Sequence, residues 1–183
     1  MRVLALCGSL RAGSYKRRLL ESAGAQLPDD VVFDIYEGLA DVPAYDEDLD
    51  DAPAAVSALR TAIDEADAVL VATPEYNSSL PGLLKNALDW VSRPFPDNAL
   101  RAKPTAVVGA STGLFGAVWA QAETRKVLNA IGANVLDEEL PVGQAHRVFT
   151  AEGDIIDPDV RAALARIVDQ LLSMMGPPAS VPT

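Results

Sequence analysis

The sequence predicts an α/β protein, a three-layer sandwich built on an open, five-stranded parallel sheet in strand order 2-1-3-4-5. Three observations carry that prediction. Short apolar runs alternate with helical patterns along most of the chain, the signature of repeated strand–helix–strand units. The run Ala68–Thr73 is continuously apolar, as a central strand covered on both faces must be. Small polar loops follow the first, third and fourth strands, and in this strand order those loops converge at the carboxyl edge where such sheets bind ligands.

Strand one is Val3–Cys7, directly before Gly8-Ser9-Leu10-Arg11-Ala12-Gly13-Ser14. Helix one covers Ser14–Gln26, with Ser14 as N-cap and Leu19, Leu20 and Ala23 on one face. Leu27–Asp30 turns the chain into strand two, Val31–Tyr36, and Glu37–Asp51 is irregular. The acidic run Asp46–Asp51 lacks the glycine and terminal glutamate of a calcium loop and reads as solvated surface. Pro53 opens helix two, Ala54–Ala66, and strand three follows. Pro81 opens helix three, Gly82–Ser92, which turns Leu83, Leu84, Ala87, Leu88 and Val91 inward. Arg93–Lys103 is a loop before strand four, Thr105–Ala110. The helix Ala117–Ile131 stops at Gly132, a C′ glycine, and Ala133–Leu136 is a short fifth strand. Glu138–Asp157 reads as irregular and Pro158–Met175 as the last helix. Residues 1–175 are thus expected to form one domain, and 176–183, with three prolines, a flexible tail.

Composition narrows the function classes. A net charge of −11 argues against nucleic-acid binding, which needs a basic face to neutralise phosphates. No apolar run approaches the length of a membrane span, and the N-terminus is too short in its apolar run for a signal peptide. A single cysteine excludes an internal disulfide and fits a reducing, cytoplasmic setting. An acidic protein that binds a phosphate must do so with a local basic cluster. Arg11, Lys16, Arg17 and Arg18 form one, although Lys16–Arg18 equally read as a solvated basic face.

The first loop has the chemistry of an anion cradle. It opens a helix, whose first N–H groups lack partners and carry partial positive charge. Ser9 and Ser14 add hydroxyls, Arg11 a fork of charged donors, and Gly8 and Gly13 close backbone approach. Neither the Walker A spacing nor the dinucleotide fingerprint is present. The second loop, Thr73–Gly82, offers Glu75, Tyr76 and Asn77, which suit an aromatic heterocycle and a polyol. Tyr76 could pack as core, and Glu75 and Asn77 could serve as helix and turn caps. The third loop, Ser111–Gly116, supplies small residues against which a flat ring can lie. Together the loops describe a mononucleotide with a large ring, and FMN fits that description.

These residues resemble the NADPH-dependent FMN reductase family, whose members have a flavodoxin-like fold and include quinone, chromate and azo-dye reductases. The resemblance lies in Gly8–Leu20, Val42–Asp48, Thr73–Trp90 and Gly109–Gly113, and spans roughly residues 1–136. It implies bound FMN, NADPH or NADH as co-substrate, and a phosphate site at Ser9, Arg11 and Ser14. The family usually has asparagine two positions after that last serine, where this chain has Lys16 and so adds charge. Flavin contacts are implied for Pro74, Glu75, Tyr76 and Asn77, and for Ser111, Thr112 and Gly113. After Gly113 many relatives carry a Gly-Gly pair, whereas here Phe115-Gly116-Ala117-Val118-Trp119 intervenes.

The function that follows is transfer of electrons from NAD(P)H through FMN to quinones or similar small acceptors, in ping-pong fashion. The flavin carries the chemistry, so no catalytic side chain is assigned. The alternatives are a flavodoxin-like electron carrier and a reductase that supplies reduced FMN to a monooxygenase. A homodimer or homotetramer is implied by the resemblance, with Trp119 as a contact across chains. Cys7 reads as a small buried residue, His146 as a surface or structural residue, and Trp90 and Trp119 as packing or interface residues.

Overall fold

The computed structural model describes residues 1–49 and 51–176. Asp50 of the acidic run and residues 177–183 of the expected tail lie outside the described residues. The sheet comprises β1 (Arg2–Cys7), β2 (Val32–Ile35), β3 (Ala68–Thr73), β4 (Pro104–Ala110) and β5 (Asn134–Val142). Their order is β2-β1-β3-β4-β5 and every pairing is parallel, as expected. The helices are α1 (Tyr15–Gly24), α2 (Ala54–Asp64), α3 (Gly82–Val91), α4 (Val118–Ile131), α5 (Ala145–Val148) and α6 (Pro158–Met174).

Strand alternation divides the core into two layers. Val3 and Ala5 of β1 face the layer that holds Leu19 and Leu20 of α1 and Ile167 and Leu171 of α6. Leu4 and Leu6 face the other, which holds Leu59 of α2, Leu84 and Leu88 of α3 and Leu128 of α4. Both faces of the sheet are therefore covered, and its polar backbone reaches solvent chiefly at the strand ends. Caps set the helix limits. The Asp157 carboxylate accepts from the N–H groups of Asp159 and Val160 at the start of α6. Gly132, at φ 100°, ends α4 by donating to the carbonyls of Leu128 and Asn129.

Two stretches differ from expectation. β5 runs to Val142 rather than to Leu136, and its register with β4 slips between Thr105 and Val107. Beyond the slip, Gln121 of α4, which is fully buried, ties β5 to the third loop: its side-chain oxygen accepts from Leu140 N–H and its amide donates to Gly116 O, each at 3.1 Å. The segment expected to be irregular, 138–157, holds the end of β5, α5 and an antiparallel bridge between Phe149 and Ile155. Arg18 of α1 secures it by donating to the carbonyls of Thr150 (2.9 Å) and Ala151 (3.2 Å).

Candidate functional site

The first loop links β1 to α1 at the carboxyl edge. Gly8 N–H donates to Ala72 O of β3 at 2.9 Å, which fastens the loop beside the neighbouring strand. A Cβ on Gly8 would stand 2.9 Å from Pro74 Cδ and 3.3 Å from Pro81 Cγ, so only glycine lets the first and second loops meet this closely. Ser14 occupies the N-cap position of α1, with extended backbone, but its hydroxyl makes no capping bond. Ser9 and Ser14 are 8% and 2% exposed, and both hydroxyl oxygens are buried without a partner. Buried polar atoms are rarely left so. Ser14 stands at the N-terminus of α1 and Ser9 lies in the loop that leads to it, where phosphate oxygens would satisfy such hydroxyls. The residues present therefore fit a phosphomonoester.

The basic cluster divides three ways, and the reading of Lys16–Arg18 as one solvated face is corrected. Arg17 pairs with Glu37 (3.0 Å) and Glu21 (3.2 Å), which raises its pKa and lowers that of Glu37. Arg18 is bound to the carbonyls of Thr150 and Ala151. Lys16 instead turns inward and is only 8% exposed. It forms no ion pair among the described residues. Burial lowers its pKa, the nearby Arg11 charge lowers it further, and Cys7 opposes both. Successive helical residues point about 100° apart, so three neighbouring cations meet three environments. Arg11 is exposed at the edge and has no side-chain partner among the described residues.

Arg11 and Leu10 form a ridge between two cavities. One, of about 390 Å³, is bounded by Gly8, Tyr76, Pro81 and Leu83. The other, of about 380 Å³, is bounded by Cys7, Ser9, Tyr36, Glu37 and Leu39. Tyr76 is 51% exposed and borders the first, so it is not core. Asn77 (φ 53°) and Ser78 (φ 60°) form a two-residue left-handed turn, closed by paired bonds between Tyr76 and Ser79 at 3.0 and 3.1 Å. Pro74 is buried behind Gly8. The Glu75 carboxylate accepts from Trp119 N–H (3.1 Å) and Ala120 N–H (3.2 Å), satisfying first-turn donors of α4 and tying the second loop to the third.

The third loop turns its carbonyls into the protein. Ser111 O and Gly113 O accept from Ala145 and Gln144 N–H, and Gly116 O accepts from Gln121. The Ser111 hydroxyl accepts from Gly113 N–H at 3.1 Å, and Thr112 and Gly113 are exposed. Gly116, at φ 59°, abuts the Pro141 backbone so closely that any Cβ would overlap it. Phe115 and Trp119 stack edge to face at 5.1 Å and remain exposed. Trp90, by contrast, is buried against Tyr45 and donates to Pro43 O. Cys7 is buried, and His146 is exposed.

Of the residues singled out from sequence, Ser9, Ser14 and Lys16 are each buried in the first loop or the first turn of α1, and Arg11 is exposed there, near enough for its charge to act on Lys16. Tyr76 shares a cavity wall with Arg11. Ser111, Thr112 and Gly113 follow β4, the strand next to β3 at this edge. Sequence reasoning missed Gln121, which props the third loop. Its only signal is a polar residue in the helical position between Ala117 and Thr124, on the face that the fold buries.

A parallel α/β sheet with a polar, donor-rich crevice at its carboxyl edge defines a flavodoxin-like nucleotide-binding protein. The model of the NADPH-dependent FMN reductase family matches residues 1–147, and the chain belongs to that family. An NAD(P)H-dependent FMN reductase of Pseudomonas aeruginosa is 37% identical over 174 residues, with 93% of each chain covered. A quinone reductase of Escherichia coli K12 is 36% identical over 162 residues, with 86% of each covered. The solved structure of FerB, a flavoenzyme NAD(P)H:(acceptor) oxidoreductase of Paracoccus denitrificans, aligns at a TM-score of 0.86 and 35% identity, covering 95% of this chain and 96% of that one. The protein is accordingly an FMN- and NAD(P)H-dependent oxidoreductase. No helix among the described residues is long and apolar enough to cross a membrane.

Proposed function

We propose that this chain, folded as one domain over residues 1–175, passes electrons from NAD(P)H to quinones or similar small acceptors, the two substrates using one pocket in turn. The observation that carries this reading is the pair of buried, unpartnered hydroxyls of Ser9 and Ser14 beside an unpaired, buried Lys16. Such a cluster costs free energy unless an anion completes it. Ser9, Arg11, Ser14 and Lys16 hold the phosphate. Pro74–Asn77 and Ser111–Gly113 flank the ring. The chemistry that FMN supplies when bound is acceptance of hydride from NAD(P)H and delivery of the electrons to a second substrate. The protein's part is orientation. Glu75 and Gln121 fix the second and third loops relative to β3 and β4, and Gly8 keeps the first loop against the second. Tyr76 gives the pocket an aromatic wall that favours flat acceptors.

The exposed Phe115–Trp119 pair supports assembly into a homodimer or homotetramer, since adjoining exposed rings are a common mark of an interface. Sedimentation of wild type against Trp119→Lys tests that. The decisive experiment for the activity is the visible spectrum of purified protein, with FMN and then NADPH added anaerobically. Flavin bands that bleach with NADPH and return with a benzoquinone are expected. Bands that NADPH and NADH leave unchanged would establish an electron carrier instead, and a protein that takes up no flavin would overturn the reading.

A further inference from the structure

Within that reading, whether FMN resides in the protein or is released after each turnover depends on how strongly its phosphate is held. Lys16 bears on this directly. Its neighbours on α1 are neutralised: Arg17 by Glu37 and Glu21, Arg18 by two carbonyls. Lys16 alone of the three is buried as a residue, within range of the Arg11 charge and in the first turn after a loop that holds two hydroxyls no protein group satisfies. Burial of most of the side chain disfavours its charge, and no carboxylate of the described residues offsets it. Its position in the first turn of α1 adds repulsion from the helix dipole. All three costs are relieved by one event, arrival of a dianion at the helix start. Asparagine, the residue usual at this position in the family, would offer the phosphate a neutral amide and forgo the charge.

We propose that Lys16 makes FMN a resident group of this protein, acting as an unpaired counter-charge in the first turn of α1 that discriminates the phosphorylated flavin from riboflavin and slows its release. The chain then works as a reductase that keeps its flavin and delivers electrons to a diffusing acceptor, not as a supplier of reduced FMN. The charge, and not the packing of the side chain, is the operative feature. Methionine keeps most of the stem volume, so it separates the two.

The proposal is tested by measuring FMN and riboflavin dissociation by fluorescence recovery on dilution, for wild type, Lys16→Asn and Lys16→Met. A charge-assisted contact of ordinary strength predicts FMN release about 10- to 100-fold faster in both variants, with riboflavin changed less than about 2-fold. Inorganic phosphate should compete with FMN in the wild type and lose most of that effect in the variants. Unchanged FMN release in Lys16→Asn and Lys16→Met would overturn the proposal. So would equal losses for FMN and riboflavin, which would mark Lys16 as a packing residue. If FMN binds and the variants behave as wild type, only this inference falls; if the wild type binds neither flavin, the proposed function falls with it.

Discussion

Replacing Gln121 by leucine removes the two bonds that tie the third loop to β5. Gln121 is fully buried, and its two partners, Gly116 O and Leu140 N–H, belong to buried residues. Leucine has similar bulk and fills the space, so the main loss is satisfaction of one donor and one acceptor. Each unsatisfied buried group costs about 1–3 kcal/mol. The leucine side chain returns roughly 1–2 kcal/mol through its own burial. The net centres on about 2.5 kcal/mol, and at about 2–4 °C per kcal/mol for a chain of this size the melting temperature should fall by roughly 5–10 °C. Because Gly116 O leads directly into Ala117 and α4, the loop should also lose its shape, and FMN affinity should drop. Circular dichroism melts of the flavin-free protein and fluorescence titrations with FMN measure the two effects. A melting temperature within about 1 °C of wild type would refute the reasoning, because it would mean that other groups or solvent satisfy Gly116 O and Leu140 N–H.

Three further outcomes are expected. Arg11→Ala should weaken FMN by roughly 1.5–3 kcal/mol through loss of a charge-assisted phosphate contact, with riboflavin much less affected; equal losses would show that Arg11 does not reach the phosphate. Gly8→Ala should cost about 1–3 kcal/mol, read from urea unfolding, because its Cβ meets two proline rings that cannot swing aside. Lys16→Met should make the flavin-free protein more stable at neutral pH. The folded-state pKa of Lys16 lies below its ordinary 10.5, with desolvation the leading cause and the Arg11 charge next. Between those two values the unfolded chain binds more protons, so wild-type stability rises with pH across that window. The urea midpoints of wild type and variant should therefore converge as pH approaches 10.5, and a gap independent of pH would count against a charged, buried Lys16.

Much of the architecture was legible because it depends on local pattern. Apolar runs of strand length, helical spacing of leucines and the punctuation of Pro53, Pro81, Gly132 and Pro158 place the elements within a residue or two. The phosphate loop was legible for the same reason, since a strand, a small polar turn and a helix are contiguous in the chain. β5 was not. Its outer half, Glu138–Val142, mixes acidic residues with Pro141, and it rejoins β4 only after a register slip, with Gln121 of α4 holding Leu140 N–H.

The chain's own order of residues was enough to indicate the parallel sheet and its alternating helices, because strand and helix patterns are local and the hand of strand–helix–strand units is fixed; the pairing of β1 with β3 joins residues far apart in the chain. Tertiary structure decided the fate of individual side chains. Lys16, Arg17 and Arg18 are equivalent as text, and only the placement of β1, Glu37 and the 149–155 turn buries one, pairs the second and binds the third to carbonyls. Glu75 likewise becomes a cap of α4 because a helix 44 residues away ends beside it. Charge and hydrogen-bonding capacity are properties of a residue; whether they are spent on the protein or left for a ligand depends on what long-range packing sets against them.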